Sequence, residues 1–268
     1  MPSPVVVLPP KCLIGMVHVG PLPGTPHAQL TNGVASIVEQ AVGEARVLLD
    51  AGFEALIVEN MHDRPYVNGP HDPVVTAAMT RIVGEVVEEV GSSMVVGVQV
   101  LSRGELEAMA IAHATGARFI RCENYVFAHV ADEGLLQHAA AGPLLRYRRT
   151  IGAEGVAVFA DVQKKHASHA ITGDIGLADL VHGAEFFSAD GVIVTGMVTG
   201  QPTDMSDVAT ARKATKMPLL VGSGVTPEQV KPLFEHADAL IVGSWIKQGG
   251  VWDQPVDAER CRAMVKAR

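Results

Sequence analysis

The chain has 268 residues, of which 48% are hydrophobic and 4% aromatic, with 27 glycines and a formal charge of −8. That length suits one closed parallel barrel, and an acidic chain without a long Lys or Arg run is not expected to bind nucleic acid. Cys12, Cys122 and Cys261 are too scattered for a disulfide framework or a Cys-rich metal site, and no apolar run approaches the roughly 20 residues that span a bilayer.

In chain order, residues 1–10 carry a short apolar run broken by prolines, with no basic stretch ahead of it; a cytoplasmic protein is expected. Short apolar runs then alternate with longer segments of helical spacing. The strand candidates are Leu13 to Val17, Ala55 to Val58, Met94 to Val98, Arg118 to Arg121, Val156 to Ala160, Gly191 to Thr195, Leu219 to Gly222 and Ala239 to Val242. Helical patterns cover Ala35 to Leu49, Val74 to Val90, Glu105 to His113, Leu177 to Phe186, Thr226 to Glu235 and Asp257 to Lys266, with a weaker one around Gln137 to Thr150. Eight strand–helix units in this length predict an α/β fold, a single (β/α)8 TIM barrel over residues 1–268, closed rather than open and doubly wound. Glycines at Gly52, Gly116 and Gly191 are expected to turn helix ends back toward the next strand. The segments Gly20 to Asn32, Asn60 to Asp72, Glu123 to Glu133 and Val162 to Gly176 read as irregular loops leaving strand carboxyl ends, the face on which barrels build active sites.

The seventh run leads into Val221-Gly222-Ser223-Gly224-Val225-Thr226-Pro227, and the eighth into Val242-Gly243-Ser244. Glycines let backbone amides approach a ligand, and Pro227 can open a helix. Two such turns on consecutive strands predict a phosphate-binding cup at Gly222, Ser223, Gly224, Gly243 and Ser244. A third turn, Thr195-Gly196 with Thr199-Gly200, can cover the same anion.

Alternation within the strands puts His18, Glu59, Gln99, Arg121, Glu123 and Asp161 at or near strand ends, over the barrel mouth. Asp161 and His166 can form an acid–base pair. Lys165 is expected to be a cation that attracts an enediolate, carboxylate or second phosphate, whereas Lys164 reads as part of a solvated basic loop. Glu59, Glu123 and Asp161 are hard oxygen ligands, so a divalent metal is an alternative use of the same atoms, although no cofactor is required. No GxSxG elbow, HExxH or CxxC pair occurs.

Ile14-Gly15-Met16-Val17-His18-Val19-Gly20-Pro21-Leu22-Pro23-Gly24, Val58-Glu59-Asn60-Met61, Arg121-Cys122-Glu123-Asn124, Phe159-Ala160-Asp161 with Lys165-His166, and Gly243-Ser244 with Pro255-Val256-Asp257 resemble the BtpA family over nearly the whole chain. The resemblance implies a barrel of the ribulose-phosphate-binding type. Its matching positions imply a site at His18, Glu59, Asn60, Arg121, Glu123, Asn124, Asp161, Lys165 and His166; from rim position and side-chain chemistry, catalytic roles are expected for His18, Glu59, Asp161, Lys165 and His166, and substrate contacts from Asn60, Gln99, Arg121, Glu123 and Asn124. Gly243-Ser244 stands where many relatives have Gly-Thr, which preserves the hydroxyl. The family's photosynthetic namesake is associated with photosystem I assembly, and a bacterial relative with sugar-phosphate metabolism.

The expected function is acid–base chemistry, of isomerase or lyase type, on a phosphorylated sugar or related small metabolite. An assembly scaffold without turnover and a metal-assisted phosphate-ester or nucleotide hydrolase are the alternatives. A homo-oligomer is compatible with the sequence.

Overall fold

A strand covered on both faces is apolar along its length, and β1 (Cys12–His18) is buried throughout. It is followed by α1 (Gly33–Ala51), β2 (Ala55–Glu59), α2 (Pro73–Val90), β3 (Val95–Gln99), α3 (Glu105–Thr115) and β4 (Phe119–Cys122). Then come β5 (His129–Ala131), β6 (Gly134–Leu136), α4 (Ala141–Thr150), β7 (Ala157–Asp161), β8 (Ala167–Ser168), α5 (Leu177–Phe186) and β9 (Gly191–Thr195). The chain ends through α6 (Met205–Ala214), β10 (Leu219–Gly222), α7 (Pro227–Leu233), β11 (Ala239–Val242) and α8 (Ala258–Ala267). The computed structural model describes residues 8–28, 33–164, 166–196 and 203–268.

Eight strands pair in parallel and close in the order β1-β11-β10-β9-β7-β4-β3-β2, so the expected barrel forms. Its interior is a separate apolar cluster that includes Ile14, Met16, Ile57, Phe119, Phe159, Ile193, Leu220 and Ile241. The Phe119 and Phe159 rings meet at 5.3 Å, tilted by 58°. The alternate residues of the same strands, such as Val17, Val58, Val98 and Cys122, pack outward with the helices. Helix α1 shows why: Ile37, Ala41, Ala45 and Leu48 recur at helical spacing on its buried face. All three cysteines are buried and unpaired.

Three features differ from the sequence expectation. Gly52 and Gly116 take the left-handed conformation at helix ends, but Gly191 is a strand residue without positive φ. It is needed for space, since a Cβ there would lie 2.7 Å from the Phe159 ring and 2.8 Å from the Pro218 carbonyl. Helix α6 was not anticipated, because only Val208 and Ala211 are buried and the apolar period is faint; its cap, Asp204 accepting from the Ser206 amide, is the legible signal. Finally, two of the loops read as irregular contain β5 and β8, which with β6, just past the end of the first loop, form a small antiparallel sheet in the order β6-β5-β8. Strands of two or three residues are too short to display alternation. This sheet brings the loop after β4 against the loop after β7 on the carboxyl-end face of the barrel.

Candidate active site

Strand register sets the floor of the site. His18 pairs across to Glu59 and Glu59 to Gln99, so three polar side chains stand level on adjacent strands. Arg121 and Asp161 continue the ring on β4 and β7. His18 Nδ1 lies 3.0 Å from the Trp252 carbonyl, which can only accept, so Nδ1 carries a proton. Nε2 then faces Glu59 Oε2 at 3.3 Å, with both side chains buried. A proton on Nε2 would make this contact an ion pair.

Asp161 is held differently. Both of its oxygens accept from Arg121, Oδ1 from Nε at 3.1 Å and Oδ2 from Nη2 at 2.9 Å, and both side chains are buried. Burial works against the Arg121 charge, but Asp161 outweighs it, with Glu59 and Glu123 in support, and holds the guanidinium above its ordinary value. Asp161 is therefore a positioned counter-anion for a cation whose Nη1 Asp161 does not use. Gln99 is 1% exposed, and neither end of its amide has a hydrogen-bond partner among the described residues.

The turns after β10 and β11 meet beside this ring. Ser223 and Gly224 have consecutive positive φ values of 70° and 62°. With Gly243, Ser244, His18, Glu59 and Arg121 they bound a hollow of about 30 Å³. Gly222 ends β10, and its carbonyl accepts from the Thr203 hydroxyl at 2.8 Å. Helix α7 opens at Pro227 as expected, with a Thr226–Gln229 capping box. The backbone after Gly243 is fixed by a buried ion pair: Lys247 Nζ donates to Glu44 Oε2 at 2.7 Å, and Glu44 Oε1 accepts from the Val256 amide. Of the third turn, Thr199 and Gly200 lie outside the described residues, and the Thr195 hydroxyl donates to the Gln163 carbonyl.

A larger cavity of about 240 Å³ adjoins the hollow and shares Glu59 and Met61 with it. Its walls include Glu123, Glu133, Lys164, His166 and Trp252. Lys164 corrects the expectation of a solvated lysine: its side chain is 6% exposed and lies 3.4 Å from Glu123 Oε2 and 3.6 Å from Glu133 Oε2. Burial alone would lower this ammonium, but the two carboxylates prevail and raise it above the ordinary lysine value. Beside it, burial and the Lys164 charge push His129 down to about 4. Lys165 lies outside the described residues.

The two asparagines brace loops. Asn60 donates to Asp63 and to the Leu101 carbonyl and accepts from the Leu101 amide, so its side chain ties the loop after β2 to the loop after β3. Asn124 donates to the His138 carbonyl, leaving its own side-chain oxygen without a hydrogen-bond partner among the described residues. The sequence therefore brings His18, Glu59, Gln99, Arg121 and Asp161 into one ring and Glu123 and His166 to the outer cavity. It gave no hint of Glu133 or Trp252, which arrive from a hairpin turn and from the loop before α8. Among the described residues, no group of three or more His, Cys, Asp or Glu side chains is arranged to hold a metal ion, and no helix is long and apolar enough to cross a membrane.

The sequence pattern of the BtpA family matches residues 10–268. The chain belongs to the BtpA family. An uncharacterized mitochondrial protein of Caenorhabditis elegans is 38% identical over 257 residues, covering 95% of this chain and 91% of its own. The photosystem I biogenesis protein BtpA of Synechocystis is 35% identical over 256 residues, with coverage of 95% and 87%. Among solved structures, thiamine phosphate pyrophosphorylase from Pyrococcus furiosus superposes with a TM-score of 0.58 at 11% identity, covering 96% of this chain and 95% of that one. A 3-hexulose-6-phosphate synthase also gives 0.58, at 16% identity and coverage of 96% and 99%. At such identities this BtpA-family chain shares their fold, and its chemistry is argued from its own residues.

Proposed function

We propose that this BtpA-family protein is an enzyme that binds a phosphorylated small metabolite and moves a proton beside its carbonyl group, as isomerases and lyases do. The observation that carries this reading is the position of Glu59, which bounds both the glycine-walled hollow and the larger cavity and lies 3.3 Å from His18 Nε2. Ser223, Gly224, Gly243 and Ser244 hold the phosphate, and the reacting carbons lie over Glu59. The ionised Glu59 carboxylate takes a proton from the carbon next to the carbonyl. The electron pair of that C–H bond moves to the carbonyl oxygen, and the resulting enediolate is countered by Arg121, which Asp161 holds in place. Return of that proton from Glu59 to the former carbonyl carbon regenerates the ionised carboxylate, and His18 carries the hydroxyl proton of the first carbon to the former carbonyl oxygen, which completes an isomerisation. The likeness in fold to enzymes whose names include phosphorylated compounds supports the cup.

The test is proton exchange. Incubated in D2O with a panel of sugar phosphates, the protein is expected to introduce deuterium at the carbon next to the carbonyl of its substrate. Glu59→Gln should slow that exchange by about 10²- to 10⁴-fold while phosphate still binds. If Glu59→Gln exchanges as fast as the parent, Glu59 is not the base; if no sugar phosphate exchanges, the scaffold reading prevails.

A further inference from the structure

The cavity beyond Glu59 is acidic. Among the described residues its lining includes Glu123, Asp132 and Glu133, with Glu59 turned to His18, and two cations, Arg64 and Lys164. The Arg64 guanidinium lies 4.7 Å over the face of the Trp252 ring, and Lys164 is enclosed by Glu123 and Glu133. A carboxylate or second phosphate placed between Glu123 and Glu133 would be buried against their negative charge, the costly arrangement in a site of low dielectric.

The contacts around Lys164 show what would fit. Charge-assisted N–H···O bonds run to roughly 2.7–2.9 Å, whereas Lys164 stands 3.4 and 3.6 Å from its two carboxylates. Glu123 Oε2 and Glu133 Oε2 are buried without a hydrogen-bond partner among the described residues, and their side chains are 7% and 5% exposed. The ammonium has donors to give, and the two oxygens can accept. A group that bridges them must accept from Lys164 and donate to a carboxylate with the same atom. A hydroxyl does both. An ammonium would donate to the carboxylates but be repelled by Lys164, and an anionic oxygen would do the reverse.

Resting on the reading that the glycine turns hold the phosphate, we propose that the substrate is a monophosphate whose far end is an uncharged polyol, read by Glu123, Lys164 and Glu133. These three residues then set specificity. They select neutral sugar or polyol monophosphates and reject sugar-acid phosphates and bisphosphates of the same length.

Calorimetric titration of the full chain with four probes tests this: inorganic phosphate, ribitol 5-phosphate, 5-phosphoribonate and ribulose 1,5-bisphosphate. The polyol phosphate should bind more tightly than phosphate alone, and at least about tenfold more tightly than the acid or the bisphosphate, which corresponds to about 1.4 kcal/mol. Glu133→Gln should reduce that discrimination to within about threefold, and Lys164→Met should remove the gain of the polyol over inorganic phosphate. If the acid or the bisphosphate binds as tightly as the polyol phosphate in the parent protein, the proposal is overturned, whether or not either variant folds. If phosphate binding survives Gly243→Val with the ranking intact, the cup has been misplaced but the polyol end stands. If none of the four probes binds, the phosphate reading fails and takes this inference with it.

Discussion

The two ends of the proposed site would achieve recognition by opposite means. At the proposed phosphate end, glycine-containing turns after β10 and β11 would place backbone close to the ligand, and Arg121, which lines the same hollow, is held by Asp161. At the proposed far end, recognition would fall to the side chains of Glu123, Glu133 and Lys164. A backbone cup is fixed by chain conformation and tolerates little change in shape, whereas a side-chain cage is fixed by charge balance and responds to pH and to single neutralisations. Glu59 joins the two, since it bounds both.

The largest effect should come from the cup. In Gly243→Val the side chain would point toward Met16 and His18, which a Cβ alone already approaches at 3.5 and 3.9 Å. Phosphate affinity should fall on the order of 1,000-fold or more, since hydrogen bonds to a charged group contribute about 1.5–3 kcal/mol each and more than one is displaced. Calorimetry with inorganic phosphate reads this directly; undiminished affinity would place the cup elsewhere.

Next comes the bond beneath the cup. Asp161→Asn leaves the Arg121 charge buried with a weaker partner, and breaking such a pair costs about 3–5 kcal/mol. Denaturant unfolding should register that loss in a variant that also turns over poorly, and an unchanged midpoint would show that the pair contributes to neither stability nor burial of charge. This separates Asp161 from a surface base, whose removal would leave stability intact.

The smallest effect concerns pH at the far end. His129 has an ordinary value of 6.5 and is pushed down to about 4 in the fold. Between these values the unfolded chain binds a proton that the folded chain refuses, so stability falls as pH falls through the window, by up to about 1.4 kcal/mol per pH unit. His129→Gln should flatten that part of the stability–pH curve, and an unaltered slope would show that His129 titrates normally.

The sequence reveals the cup more fully than the cage, and the reason is physical. Glycine pairs after two consecutive apolar runs are a local signal, and strand alternation brings His18, Glu59, Gln99, Arg121 and Asp161 onto one rim. The cage has no local signal. Glu133 occupies a hairpin between strands of three residues, Lys164 sits in a polar stretch that reads as solvated, and Trp252 reaches His18 through a backbone carbonyl that no residue pattern encodes. Asp161 was legible as a rim residue, but its partner was not, because only the closeness of β4 and β7 brings Arg121 to it.

A crystal structure of the protein with ribitol 5-phosphate tests the central claim, that one continuous site holds phosphate at one end and hydroxyls at the other. The phosphate should lie against Ser223, Gly224, Gly243 and Ser244, the carbon chain should pass over Glu59, and the terminal hydroxyls should lie between Lys164 and the carboxylates of Glu123 and Glu133. Phosphate density beside Lys164, with the hydroxyls in the glycine turns or outside the barrel mouth, would contradict it.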